Sequence, residues 1–161
     1  MLGINIGIDL GTTSVIAYLE GKGIVLSEPA VVAYRTETGK MIALGRAAYK
    51  MIGREPESVT VIRPMKDGVV SDFTVTEQML RYYIKKICGN KIFKPNIIVS
   101  MPGTVTNLEK RTILDVITAS GAGKACLLEE PLAAAIGAGV DISHPSGVMI
   151  IDMGGGTTDI A

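Results

Sequence analysis

Two segments near opposite ends of the chain carry the same pattern, and this repeat constrains the fold more than any other feature. Residues 6–13 read Ile-Gly-Ile-Asp-Leu-Gly-Thr-Thr, and residues 149–158 read Met-Ile-Ile-Asp-Met-Gly-Gly-Gly-Thr-Thr. Each segment predicts an apolar strand that ends in an aspartate, followed by a glycine-rich turn and two threonines. Aligning the aspartates and the threonine pairs predicts that the second turn is two glycines longer. A repeat over this distance indicates two related halves of one protein.

The chemistry of such a turn favours phosphate. Glycines let backbone N–H groups converge on an anion, and threonine hydroxyls add further donors. The aspartates, Asp9 and Asp152, would repel a phosphate unless a divalent cation lay between them. Magnesium suits this arrangement because it keeps its water ligands while carboxylates hold it from outside. Two ordinary glycine-rich hairpins are the alternative, but the paired aspartates and threonines favour a polyphosphate site held from both sides.

A third acidic element precedes an alanine-rich segment. Glu129-Glu130-Pro131 leads into a predicted helix over residues 132–138, with Pro131 suited to its first position. A glutamate there can simply stabilise the helix start through the helix dipole. In a nucleotide site it can instead orient a water for in-line attack on the γ-phosphate. The residues alone leave both interpretations open.

Hydrophobic periodicity predicts an α/β fold with a mixed sheet and helices. Residues 4–34 favour an antiparallel meander of strands, and residues 35–68 form a small inserted subdomain. From residue 71 helices and strands alternate, and residues 147–153 form a last strand. Two capping boxes, Thr74 to Glu77 and Thr106 to Glu109, mark the starts of two of these helices.

Charge and hydropathy exclude some classes of protein. Sixteen basic and sixteen acidic side chains give a net charge of zero, which argues against a protein that coats nucleic acid. No apolar run approaches the ~18 residues of a membrane-spanning helix, and no signal peptide is evident. We therefore expect a cytoplasmic protein.

Several motifs together resemble the actin-like ATPase superfamily, whose domains have a ribonuclease H-like fold, and more narrowly the MreB family of bacterial actin homologues. The resemblance covers essentially the whole chain. The motifs that carry it are Asp9-Leu10-Gly11-Thr12-Thr13, Arg63-Pro64-Met65-Lys66-Asp67-Gly68, Glu129-Glu130-Pro131 with the alanine-rich helix, and Asp152-Met153-Gly154-Gly155-Gly156-Thr157-Thr158.

The resemblance implies an ATP site with Mg²⁺. Glu130 would be the catalytic glutamate, and Asp9 and Asp152 would surround the metal. The two phosphate loops would consist of Gly11, Thr12, Thr13, Ser14, Gly154, Gly155, Gly156, Thr157 and Thr158.

The resemblance also implies a domain organisation. Residues 1–34 and 69–146 would form subdomain IA, and residues 35–68 subdomain IB. Residues 147–161 would be the first strand and phosphate loop of a second domain that supplies the adenosine pocket in family members. We therefore expect this chain to be an N-terminal half that by itself binds ATP weakly and hydrolyses it negligibly.

The implied biology is a cell-shape-determining cytoskeleton. Members of the family assemble with themselves into ATP-dependent filaments on the inner face of the cell membrane and work with the cell-wall elongation machinery; no nucleic acid partner is implied. Lys91-Ile92-Phe93-Lys94 is a candidate membrane loop, with Ile92 and Phe93 entering lipid and the lysines meeting anionic headgroups. A loop packed against the domain is the alternative.

One departure from the family pattern supports a competing function. Thr13-Ser14 stands where the family usually has Ala-Asn, and Thr-Thr in the first loop is closer to DnaK-type chaperones. A DnaK-like or ethanolamine-utilisation-type chaperone ATPase is therefore an alternative, although the runs at residues 63–66 and 129–131 argue against it. A small non-enzymatic regulator is a third possibility.

Overall fold

The computed structural model describes residues 3–89, 94–143 and 147–161. In chain order the strands are β1 (Asn5–Leu10), β2 (Ser14–Leu19), β3 (Gly23–Pro29), β4 (Val32–Arg35), β5 (Met41–Leu44), β6 (Val59–Ile62), β7 (Met65–Lys66), β8 (Val69–Val70), β9 (Asn96–Met101), β10 (Lys124–Glu129), β11 (Ile151–Met153) and β12 (Thr158–Ile160). The helices are α1 (Arg46–Tyr49), α2 (Phe73–Cys88), α3 (Asn107–Ala119) and α4 (Glu130–Gly137).

A mixed five-stranded sheet organises the fold, with strand order β10-β9-β1-β2-β3. The antiparallel hairpins β1–β2 and β2–β3 confirm the predicted meander, and β9 and β10 add two parallel strands on the other side of β1. The predicted α/β class with a mixed sheet is therefore confirmed. Parallel strands need crossover connections, and here α2 and α3 supply them.

The two faces of the sheet differ because side chains alternate along each strand. On β1, Ile6, Ile8 and Leu10 are buried in the main hydrophobic core with the inward faces of α2 and α3. Asp9 points to the opposite face, where α4 lies beside it. The sheet therefore keeps its apolar core on one side and presents its polar strand ends on the other.

Strand β4 differs from the sequence-based prediction, which placed residues 30–34 in the first meander. It pairs instead with β5 and β6 in a separate three-stranded sheet. Pro29 ends β3, and a tight turn follows in which the Val31 N–H donates to the Pro29 carbonyl at 2.9 Å. The chain thus leaves the large sheet before β4 begins. The division into residues 1–34 with 69–146, 35–68 and 147–161 stays a prediction.

The helix starts show one confirmed and one wrong prediction. At α3 the Thr106 side chain and Glu109 form the complete capping box. At α2 the predicted box at Thr74 is wrong. The N-cap is Asp72, whose carboxylate accepts a hydrogen bond from the Val75 N–H at 2.9 Å.

The last helix and strand also differ in extent from the prediction. Helix α4 begins at Glu130, so Pro131 lies inside its first turn. The last predicted strand is shorter, with only Ile151–Met153 in strand β11. Among the described residues, no helix combines the length and apolar character needed to cross a bilayer.

Candidate functional site

The two glycine-rich turns meet at the ends of their strands and enclose a cleft of about 90 Å³. A cleft of this size has room for a few water molecules or one phosphate-sized group. Its lining contains both predicted aspartates, the predicted glutamate and all but one of the predicted loop residues. The lining residues are Asp9, Gly11, Thr12, Thr13, Ser14, Gly68, Glu130, Asp152, Gly154, Gly155, Gly156 and Thr157.

The two turns have the same length, which corrects the expectation of two extra glycines. In the first, the Gly11 N–H donates to the Ser14 carbonyl at 3.0 Å; in the second, the Gly154 N–H donates to the Thr157 carbonyl at 2.9 Å. The strand registers agree, since Leu10 faces Val15 and Met153 faces Thr158. The hairpins are therefore equivalent residue for residue.

This equivalence explains the one predicted loop residue that is absent from the cleft lining. Thr158 corresponds to Val15, not to Thr13, and lies on β12 paired with Met153. The residue equivalent to Ser14 is Thr157, which does line the cleft. The repeated threonine pairs had suggested that Thr158 aligns with Thr13, because the two motifs were matched by residue type. The hydrogen-bond registers of the two hairpins instead determine which residues are equivalent.

Glycine is required where the turns approach each other. A Cβ built on Gly155 would lie 2.8 Å from Thr13 Oγ1 and closer still to Thr13 Cγ2. A Cβ on Gly156 would lie 2.8 Å from Thr12 Oγ1. Any side chain at these positions would push the turns apart. Gly155 and Gly156 therefore allow the two turns to lie in contact with each other.

Three carboxylates face this cleft and make it electronegative. Burial raises the pKa of Asp9, the hydrogen bond from Ser100 lowers it, and the charge of Asp152 raises it. Burial, together with the charges of Asp9, Asp159 and Asp152, raises the pKa of Glu130 to about 7. Mutual repulsion of this kind favours the binding of a cation between the acids.

The donor set fits a hydrated cation better than a directly ligated one. In the described part of the chain, no three acidic, histidine or cysteine side chains lie close enough to ligate one ion together. Mg²⁺ retains several waters and needs few protein ligands. Asp9 and Asp152 are therefore compatible with Mg²⁺ that is held through its waters, and their role at a metal stays a prediction.

The position of Glu130 is compatible with both interpretations that the sequence left open, and its catalytic role stays a prediction. It is the first residue of α4, where a carboxylate is favoured by the helix dipole. It also lines the cleft and is half-buried there. The helix start thus delivers an acid with a pKa near neutrality to the phosphate-sized space.

Gly68 also lines the cleft, although its sequence motif did not indicate a place in the site. The two-residue turn between β7 and β8 is Asp67-Gly68, with φ of 50° and 76°. The Gly68 N–H donates to Thr12 Oγ1 at 2.9 Å, and a Cβ on Gly68 would collide with the ring of Pro102. An Asp-Gly pair is a recognisable hairpin signal, but its contact with Thr12 spans 56 residues.

A wider apolar groove of about 320 Å³ continues from the cleft between the large sheet and α4. It shares Asp9, Glu130 and Asp152 with the cleft, and its lining includes Ser100, whose hydroxyl donates to Asp9. The predicted membrane-loop residues Ile92 and Phe93 lie outside the described residues, so that loop stays a prediction.

Comparisons with known proteins agree with this geometry. The family model for MreB/Mbl protein matches residues 3–161. Cell shape-determining protein Mbl of Bacillus subtilis (strain 168) is 48% identical over 162 residues, covering 100% of this chain and 49% of the relative. Cell shape-determining protein MreB of Escherichia coli (strain K12) is 44% identical over 167 residues, covering 100% and 48%. The chain thus spans about half the length of the curated relatives it matches.

Solved structures agree on the fold. MreB 5 of Spiroplasma citri bound to AMPPNP superposes with a TM-score of 0.91 at 38% identity, covering 100% of this chain and 49% of that one. The MamK double helical filament superposes with a TM-score of 0.82 at 21% identity, covering 98% of this chain and 49% of that one. At this identity the similarity is one of fold alone. The predicted actin-like fold is confirmed. The chain belongs to the MreB/Mbl family.

Proposed function

We propose that this chain forms the phosphate-binding half of an ATP-binding, filament-forming, cell-shape-determining actin-like protein. The observation that carries the proposal is the meeting of two equivalent glycine-rich turns around a phosphate-sized cleft. A single hairpin of this type would be an ordinary turn. Two of them, face to face and flanked by acids, form a clamp for a polyphosphate.

The turns would hold the phosphates through neutral donors. Thr12, Thr13 and Thr157, whose hydroxyls can donate, line the cleft together with Gly155 and Gly156. Backbone N–H groups in such turns form anion-binding concavities. Because no basic side chain lines this cleft in the described part of the chain, a bound cation is needed to offset the phosphate charge.

Asp9 and Asp152 are the residues that would hold that cation. Their carboxylates would accept hydrogen bonds from its water ligands. Mg²⁺, when bound, would neutralise charge between the phosphates and the two aspartates.

Glu130 is the proposed general base and water-positioning residue. Without a metal, burial and the neighbouring acids raise its pKa to about 7, and in its ionised form the carboxylate can accept a proton from an attacking water. From the first turn of α4 it faces the same cleft as both aspartates. The geometry would let it orient a water for in-line attack on the terminal phosphate.

The named relatives support the biological part of the proposal. Mbl and MreB are described as cell shape-determining proteins, structures of MreB5 contain AMPPNP or ADP, and MamK forms a double helical filament. We extend these properties to the protein to which this chain corresponds. Assembly with further copies, location on the inner membrane face and work with the cell-wall elongation machinery are part of the same proposal.

The chaperone alternative is not favoured. The matching family is MreB/Mbl along residues 3–161, although Thr13-Ser14 departs from the usual Ala-Asn. We propose that the chain by itself binds Mg·ATP weakly, because the adenosine pocket is expected in a second domain. Hydrolysis by the chain alone would be negligible.

Backbone amide NMR of the chain titrated with Mg·ATP tests this proposal, because it detects weak binding residue by residue. We expect selective shifts at Gly11–Ser14 and at Gly154–Thr157. Gly155→Ala should weaken this binding by about 10-fold, equivalent to ~1.4 kcal/mol, because the added methyl group collides with Thr13.

Gly103→Ala is the matched control, since a Cβ there meets no atom within 4 Å. Equal effects of the two substitutions would show that close approach of the turns does not matter for binding. Shifts spread evenly over the chain, or no shifts at millimolar ATP, would contradict the proposed phosphate site.

A further inference from the structure

Ser100 lies beside Asp9 on the neighbouring parallel strand. The register of β1 and β9 pairs these two residues, and paired residues of adjacent strands have side chains on the same face. The Ser100 hydroxyl donates a hydrogen bond to Asp9 Oδ1, with the oxygens 3.1 Å apart. The contact joins residues that are 91 positions apart in the sequence.

We propose that Ser100 is a positioning residue, which fixes the Asp9 carboxylate so that its second oxygen faces a hydrated divalent cation bound with the nucleotide. This inference rests on the proposed phosphate-binding function and assigns a further residue to the same site.

The character of the donor supports the role. Asp9 lies among acids, with Asp152 and Glu130 lining the same cleft. In the described part of the chain, the ion pairs involve other acidic residues. A lysine or arginine partner would orient Asp9 but would also cancel the negative charge that attracts a cation. A neutral hydroxyl orients the carboxylate and leaves its charge intact.

The place of Ser100 in the sheet supports the role as well. Strand β9 is an interior strand, and Ser100 is paired with Asp9 on one side and with Leu128 of β10 on the other. The hydroxyl is therefore carried by backbone that is hydrogen-bonded on both sides. Groups that orient a metal-binding carboxylate are effective when rigid elements hold them. The hydrogen bond occupies Oδ1 and leaves Oδ2 for the water ligands of a cation.

Paramagnetic Mn²⁺ is a direct probe of this site. We would titrate Mn²⁺ into the chain at constant ATP and follow broadening of the Gly11 and Gly154 amide signals. Ser100→Ala should raise the Mn²⁺ concentration for half-maximal broadening by about 10-fold, the low end of the usual effect of losing a residue that orients a metal ligand. Ser100→Thr, which keeps the hydroxyl, should restore the original value.

Two controls separate this role from a general effect on folding or on the site. Ser27→Ala removes a hydroxyl from an exposed position on the edge strand β3 and should change nothing. Asp9→Asn removes the charge of the carboxylate itself and should weaken Mn²⁺ binding at least as much as Ser100→Ala.

The outcomes are distinguishable. If Asp9→Asn weakens Mn²⁺ binding but Ser100→Ala does not, the positioning role is overturned and the proposed function stands. A Ser100→Thr variant as weak as Ser100→Ala also overturns the role, because the hydroxyl would then not be responsible. If the unchanged chain shows no selective broadening at Gly11 and Gly154, the proposed function fails and the role of Ser100 fails with it.

Discussion

Replacing Glu130 with glutamine should stabilise the chain at alkaline pH and have little effect at acidic pH. Glu130 is half-buried beside acidic residues, and burial followed by the charges of Asp9, Asp159 and Asp152 raises its pKa from 4.5 to about 7. An acid whose pKa is raised in the folded state favours folding while it is protonated. Its favourable contribution is complete below about pH 4.5 and is lost as the pH rises through about 7.

The size of the effect follows from the same values. Each tenfold change in proton affinity corresponds to about 1.4 kcal/mol. A rise in pKa from 4.5 to about 7 on folding therefore corresponds to a loss of about 3.4 kcal/mol in the free energy of unfolding when Glu130 is ionised. The side chain is only half-buried, so water screens part of the repulsion. We therefore expect the ionised glutamate to lower the free energy of unfolding by about 1–2 kcal/mol at pH 8 relative to pH 4.5.

Urea denaturation of the unchanged chain and of Glu130→Gln at pH 4.5 and pH 8, without nucleotide or metal, measures this difference. The glutamine variant should be more stable by about 1–2 kcal/mol at pH 8 and nearly equal at pH 4.5. Glu129→Gln is the matched control, because that side chain is exposed and does not line the cleft. A stability difference that is the same at both pH values, or is reproduced by Glu129→Gln, would refute the electrostatic reasoning.

Two further predictions concern other parts of the chain. Thr106→Ala should lower the free energy of unfolding by about 1 kcal/mol because it removes the capping box of α3. Thr118→Ala, at an exposed position of the same helix, should change it by no more than about 0.5 kcal/mol. Urea denaturation compares the two variants, and equal losses would contradict the capping argument. The Ile92→Ser/Phe93→Ser double variant should lose co-sedimentation with anionic liposomes while Leu108→Ser, at an exposed apolar position of α3, retains it. Unchanged binding by the double variant would exclude the membrane loop.

Features that depend on neighbouring residues followed from the sequence. The apolar strand that was predicted to end near Asp9 is strand β1, and it could be predicted because the period of a strand is local. The capping box at Thr106 was predicted correctly because all of its atoms belong to four consecutive residues. The repeated aspartates and glycine-rich turns likewise indicated both walls of the cleft before the structure brought them together.

Two predictions from local sequence were wrong. Thr74 fits the capping-box pattern, but the N-cap of α2 is Asp72. Residues 30–34 have the composition of a strand, but composition does not determine which sheet a strand joins. The turn after Pro29 directs β4 into the small sheet.

Tertiary structure alone determined how the site is assembled. The Ser100 hydroxyl reaches Asp9 across 91 residues, and the Gly68 N–H reaches Thr12 across 56. The equivalence of the two turns was also decided by hydrogen-bond register, which places Thr157 in the cleft and Thr158 on a strand. The sequence determined which chemical groups were available and which local elements carry them. Which groups touch was decided by strand pairing and packing, since a hydrogen bond depends on position in space and not on distance along the chain.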